Sequence, residues 1–240
     1  MIKTRMRFVK TGSVKFIGHL DCMRFFQKAI RRAKLDVAYS QGYSPHQLMS
    51  FASPLGVGVT SIGEYIDVEF NSLPDMELSR LVDYLNQFMT DELFVTDIEI
   101  MPDKFKNSMS LLEAADYMIV EKEPGIFPED YKEMWSRFLS QPEIIVTKKT
   151  KKSEKEIDIK PFILEHSFSL EEFSELTGEQ YPKLYCPYEG KSLFLQLTSG
   201  SETNLKPELV TDAFFTFCNR TLPPFSYQVH RLQMYFKKSL

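Results

Sequence analysis

The 240-residue sequence predicts an α+β protein of two tandem ferredoxin-like units with antiparallel sheets, spanning residues 1–105 and 106–240. Three observations carry this expectation. The periodicity of apolar residues gives a strand–helix–strand–strand–helix–strand order twice. The length suits two small units of about 100–120 residues each. Hydrophobic residues make up 43% of the chain, which is enough to pack a core and argues against wholesale disorder.

Residues 5–10 alternate apolar and polar side chains and read as a strand. Thr11-Gly-Ser reads as a turn into a second strand at 14–17. From residue 20 to 34 the period is helical, and Leu20, Met23, Phe26, Ile30 and Ala33 form one apolar stripe. Arg24, Lys28 and Arg31 recur at i, i+4 and i+7 on a different face. Residues 38–63 hold four of the ten glycines and two prolines, and they read as one long functional loop. A strand at 64–70, a helix at 75–89 and a strand at 93–101 complete the first unit, followed by a loop at 102–113.

The second unit opens with a strand at 115–121 and a helix at 128–140. Strands at 143–147 and 156–159 flank a charged tip at 148–155 with five lysines in eight residues, read as a solvated hairpin or a second phosphate contact. Residues 162–185 give mixed signals. A strand at 192–198, a helix at 206–218 and a strand at 227–236 close the chain.

Charge is distributed unevenly. The whole chain carries −4, yet residues 1–34 hold ten basic residues and one acidic residue, Asp21. That segment is +9, leaving −13 for residues 35–240. Such asymmetry points to a polyanionic ligand, or to a basic segment paired with the acidic remainder inside one domain. The three cysteines, Cys22, Cys186 and Cys218, are too few and too scattered for a disulfide framework, and no Cys-x-x-Cys pair offers a metal or iron–sulfur site. No run approaches the ~18–20 apolar residues of a membrane helix. The N-terminus has no apolar stretch behind its charges, so the expected location is the cytoplasm.

The candidate site follows from these features. The expected nucleic-acid-binding residues are Lys15, Arg24, Lys28, Arg31, Arg32, Tyr39, Gln41, Tyr43, His46 and Phe51. Cations would meet phosphates while the aromatic rings stack on unpaired bases. His19 opens the basic helix beside exposed amides, and His46 lies in the loop, so both are candidates for proton transfer. No phosphate-binding glycine loop, nucleophile elbow or paired-carboxylate signature is found, and the three-cysteine motif of radical SAM enzymes is absent.

Two segments, Lys10-Thr-Gly-Ser-Val-Lys-Phe-Ile-Gly-His-Leu-Asp-Cys-Met-Arg and Arg31-Arg-Ala-Lys-Leu-Asp-Val-Ala-Tyr-Ser-Gln-Gly-Tyr-Ser-Pro-His, resemble the radical SAM-linked protein family. The resemblance continues through Ser50-Phe-Ala-Ser-Pro-Leu-Gly-Val-Gly and Gly63-Glu-Tyr-Ile-Asp, and returns at Glu156-Ile-Asp-Ile-Lys and Asn204-Leu-Lys-Pro-Glu-Leu-Val. That family is a domain of unknown function found fused to, or encoded beside, a radical SAM protein with a cobalamin-binding-like region. The chain departs from it after His46, where Gln47-Leu-Met replaces a usual proline and basic residue, and at Gly18, where serine is common. The resemblance implies an accessory role beside a radical SAM partner, with the iron–sulfur cluster and S-adenosylmethionine held by that partner. The expected function is a non-catalytic RNA-binding module in RNA modification. The alternatives are a stand-alone RNA-processing enzyme using His19 and His46, and a purely protein-binding subunit.

Overall fold

The computed structural model describes residues 1–149, 154–200 and 203–237. The chain divides into two compact units, Met1–Glu113 with Gln233–Leu240, and Ala114–Leu232. It is a mixed α+β protein in which β1 pairs with β3 and β4, β2 with β3, β5 with β9, β6 with β7 and β8 with β9, each antiparallel, over the ranges given below.

In the first unit the order is β1 (Ile2–Lys10), α1 (His19–Arg32), β2 (Met49–Phe51), β3 (Thr60–Phe70), α2 (Leu78–Asn86), β4 (Leu93–Ile100) and the single turn α3 (Ser108–Leu111). The sheet order is β4-β1-β3, and β2 pairs with β3. Along β1, Thr4, Met6 and Phe8 are buried. Phe8 meets Phe26 of α1 edge-on at 4.9 Å and Phe51 of β2 at 5.6 Å. Leu81 and Leu85 of α2 join the same core. The strand alternation thus selects the face on which the helices pack.

The expected strand at 14–17 is instead a short 3-10 helix, Gly12–Phe16. Gly12 sits at φ +53°, and a Cβ there would collide with the Glu92 side chain. Glu92 explains the turn. Its carbonyl accepts the Thr11 amide at 2.8 Å, and its carboxylate accepts the Ser13 amide at 3.0 Å and hydroxyl at 2.6 Å. Alternation over four residues carries too little information to separate a strand from this strap.

The apolar stripe of α1 is also turned relative to expectation. Cys22, Phe26, Ala29 and Ile30 are buried, while Leu20 is 64% exposed. Leu20 precedes Arg24 by four residues, so it shares the face of the cations. The long loop is shorter than expected, because β2 and the start of β3 fall within residues 38–63.

In the second unit the order is β5 (Leu112–Glu121), α4 (Tyr131–Ser140), β6 (Ile145–Lys149), β7 (Glu154–Asp158), β8 (Ile163–Ser167), α5 (Leu170–Thr177), β9 (Ser192–Thr198), α6 (Pro207–Phe217) and β10 (Tyr227–Phe236), the first two residues of β5 and the last four of β10 belonging to the first unit. The sheet order is β10-β5-β9-β8, and β6 pairs with β7 as a separate hairpin. The core centres on Trp135 of α4, fully buried between Phe138 at 5.3 Å and Phe214 of α6 at 5.1 Å. The ambiguous stretch 162–185 resolves into β8, α5 and an irregular segment. Ser169 caps α5 by accepting the Glu172 amide, and Gly178 ends it at φ +71°. The middle of the lysine-rich tip, residues 150–153, lies outside the described residues.

Candidate nucleic-acid interface

Helix α1 separates two kinds of side chain. Its buried line faces the sheet, and Arg24, Lys28, Arg31 and Arg32 are all exposed. With a rise of 1.5 Å per residue, Arg24 and Arg31 lie about 10 Å apart along the axis. Arg24 bonds Asp21 at 3.2 Å, but both side chains are exposed, so this pair is weak and easily exchanged for another anion. The basic segment is partly consumed inside the unit. Arg5 lies 3.7 Å from Asp67, and Lys10 is buried in the same cavity wall as Glu64. The cations of α1 remain at the surface.

The loop after α1 closes on itself and packs along the helix. Tyr39 and Gln47 form an isolated bridge, and the Ser40 amide donates to the His46 carbonyl at 2.8 Å. The Ala38 amide donates to the Glu69 carbonyl, and the Glu69 amide to that of Leu48, which ties both ends to β3. Gln47 Nε2 reaches the Gln27 carbonyl of α1 at 3.4 Å. Gly42, at φ +117°, lets the tip reverse. Gln41, Tyr43 and His46 are exposed at this tip, and Tyr39 is nearly half exposed. These contacts set the aromatic loop beside the cation row.

The Ser40 hydroxyl holds the His46 ring in place. Ser40 Oγ accepts the His46 backbone amide at 3.1 Å and lies 2.8 Å from Nδ1, so either tautomer of the imidazole is accommodated and Nε2 is left on the outer side of the ring. Lys15 sits on the strap, its ammonium 5.3 Å from the Phe16 ring centre, and its carbonyl accepts the Gly58 amide.

Phe51 has a different role from the one its sequence position implied. It is 4% exposed, wedged against Phe8, Phe26 and His19, and offers no open face for a base. It forms the wall on which the His19 ring rests, at 5.1 Å edge-on. His19 is partly buried and His46 exposed, and each is engaged by different neighbours.

Sequence reasoning missed what lies under His19. Lys10, Cys22 and Glu64 line a small cavity of about 10 Å³ with His19, Phe51 and Leu55, roughly the room needed for one water molecule. Lys10 is 2% exposed and Glu64 is 1% exposed. Lys10 Nζ donates to the Ile17 carbonyl at 2.9 Å and so holds the strap against the start of α1. Burial lowers the Lys10 amine below the usual lysine range, with Cys22 and Glu64 acting in the opposite direction. A signal was present in the strand phase: Lys10 follows Met6 and Phe8 at period two, and Glu64 precedes Ile66, Val68 and Phe70.

Burial also pushes the Cys22 thiol up to about 12. Cys22 is therefore expected to resist alkylation in the native protein at pH near 8 and to react once the chain is unfolded, as read by mass spectrometry of the modified peptides. Rapid native labelling of Cys22 would contradict this packing.

Among the described residues, no group of three or more His, Cys, Asp or Glu is placed to hold a metal ion. Among them, too, no helix is long and apolar enough to cross a membrane. A family model described as an uncharacterized protein conserved in bacteria (DUF2344) matches residues 3–207. No curated protein matches the chain.

Proposed function

The chain belongs to the DUF2344 family of uncharacterized bacterial proteins, and on that premise we propose that it is a non-catalytic RNA-binding module serving a radical SAM partner in RNA modification. One observation carries the reading: the exposed row of Arg24, Lys28, Arg31 and Arg32 lies beside a loop that exposes Tyr39, Tyr43 and His46. Cations hold phosphates without regard to sequence, and the rings stack on unpaired bases. The radical SAM partner rests on the motif resemblance in residues 10–67, 156–160 and 204–210. In this reading the partner supplies the iron–sulfur cluster and S-adenosylmethionine, and the complex works in the cytoplasm.

Both units are read as ferredoxin-like. Support comes from the order β1-α1-β2-β3-α2-β4 with β4-β1-β3-β2 pairing in the first unit. In the second, β5, α4, β8, β9, α6 and β10 follow the same scheme, with the β6–β7 hairpin and α5 inserted.

A protein-binding role has its own observation in support. Phe16, Leu20 and Val57 are each 64% exposed close to the strap, an apolar surface with no use in phosphate binding.

Equilibrium binding of a labelled unpaired RNA across a salt series tests the main reading. Engagement of four cations predicts a log–log slope of about −3 for single strands. A flat salt dependence, or no binding at low salt, removes it.

A further inference from the structure

A groove of about 370 Å³ lies in the first unit between β1, β2, β3 and the segment after β4. Its volume falls in the range of small-molecule sites. Leu48 supplies an apolar wall, and Phe105 adds a ring. The polar groups around it are largely unspent. Glu69 and Lys3 are register partners on β3 and β1, so a carboxylate and an ammonium stem from neighbouring positions on one face. Among the described residues the Glu69 carboxylate makes no hydrogen bond or ion pair, and neither does the Ser50 hydroxyl. Lys3 Nζ makes one bond, to the Asp103 carbonyl at 3.2 Å. The Asn107 side-chain oxygen accepts the Ser110 amide at 3.0 Å, which leaves its NH₂ group available.

Asp67, also in the wall, is fully engaged. It accepts the Ser108 amide at 2.6 Å and hydroxyl at 2.5 Å, and faces Arg5 at 3.7 Å. The Arg5 guanidinium lies between Phe236, at 4.0 Å, and Phe105, at 4.9 Å. This network fixes the wall and holds Phe105 in place. Lys104 and Lys106, both exposed, flank Phe105.

We propose that this groove is a nucleotide subsite that takes a guanine base of the bound RNA. A carboxylate accepts two N–H bonds at once, and guanine presents N1–H and N2–H₂ side by side next to the O6 acceptor. Glu69 takes the two donors, Lys3 and Asn107 serve the acceptors, Phe105 and Leu48 cover the ring, and Lys104 and Lys106 meet phosphate. The inference rests on the RNA-binding reading only for the source of the nucleotide.

Titration of the full-length protein with GMP, AMP, CMP and UMP, followed by calorimetry, tests the groove apart from the helix. GMP is expected to bind about tenfold or more tightly than the others, because a site built around hydrogen bonds rejects bases that leave its groups unpaired. Glu69→Gln is expected to abolish that preference while keeping the wild-type denaturation midpoint. Absence of GMP binding, or a preference untouched by Glu69→Gln, overturns the subsite. Glu69-dependent GMP binding in a protein that fails to bind RNA keeps the subsite as a free-nucleotide site and removes the RNA reading. RNA binding without GMP preference does the reverse.

Discussion

Charge reversal at Arg24 and Arg31 is expected to lower affinity for unpaired RNA by roughly ten- to a hundredfold at about 0.1 M salt. Two phosphate contacts are lost, so the log–log salt slope should become shallower by about 1.4. The variant should fold normally, because both side chains are exposed and opposite the buried line of α1, where substitutions shift stability by about 0.5 kcal/mol or less. Unchanged affinity and slope would assign the cations of α1 to solvent. The measurement is anisotropy titration beside a urea denaturation curve, which separates a binding defect from a folding one.

Lys10→Met is expected to destabilise the protein by about 3–5 kcal/mol, because it removes the cation that acts on the Glu64 carboxyl in a wall with almost no access to water. It also removes the donor to Ile17, which holds the strap before His19. Adding Glu64→Leu should recover much of the loss, since a buried pair replaced by apolar groups is often neutral. A double variant no more stable than Lys10→Met would show that the two charges are not coupled.

The Lys10 shift also sets a pH dependence. Burial places the amine below its unfolded value, so between the two values the unfolded chain binds more protons than the folded one. Wild-type stability therefore contains a component that rises with pH toward the ordinary lysine range. The difference between wild type and Lys10→Met, measured across alkaline pH, should show that component disappear.

Much of the frame was legible because long periodic segments carry their own evidence. The strands at 192–198 and 227–236 end where alternation ends, and α1 begins one residue before the period suggested. Elements set by distant partners were not legible. β2 is three residues long and exists through pairing with β3, and the strap is made by Glu92, some eighty residues away. On the surface, the cation row was readable from i, i+4, i+7 spacing, and a loop after it from its glycine and proline content, whereas the closure of that loop rests on pairing between Tyr39 and Gln47. The misplacement of Leu20 and Phe51 has one cause. Hydrophobicity alone does not say which side of a helix or strand the sheet will cover, and for both residues the deciding contacts come from other elements. Lys10 and Glu64 show the converse: their charge suggested the surface, and only their phase within a strand placed them inside.

RNA binding by the first unit is tested most directly by ultraviolet crosslinking in cells, followed by purification of the tagged protein and identification of the bound RNA and protein. The expected result is RNA crosslinked to the peptides that carry Tyr39 and Tyr43, lost on charge reversal at Arg24 and Arg31. A protein partner that remains after nuclease treatment, with no RNA crosslinked to those peptides, would contradict it.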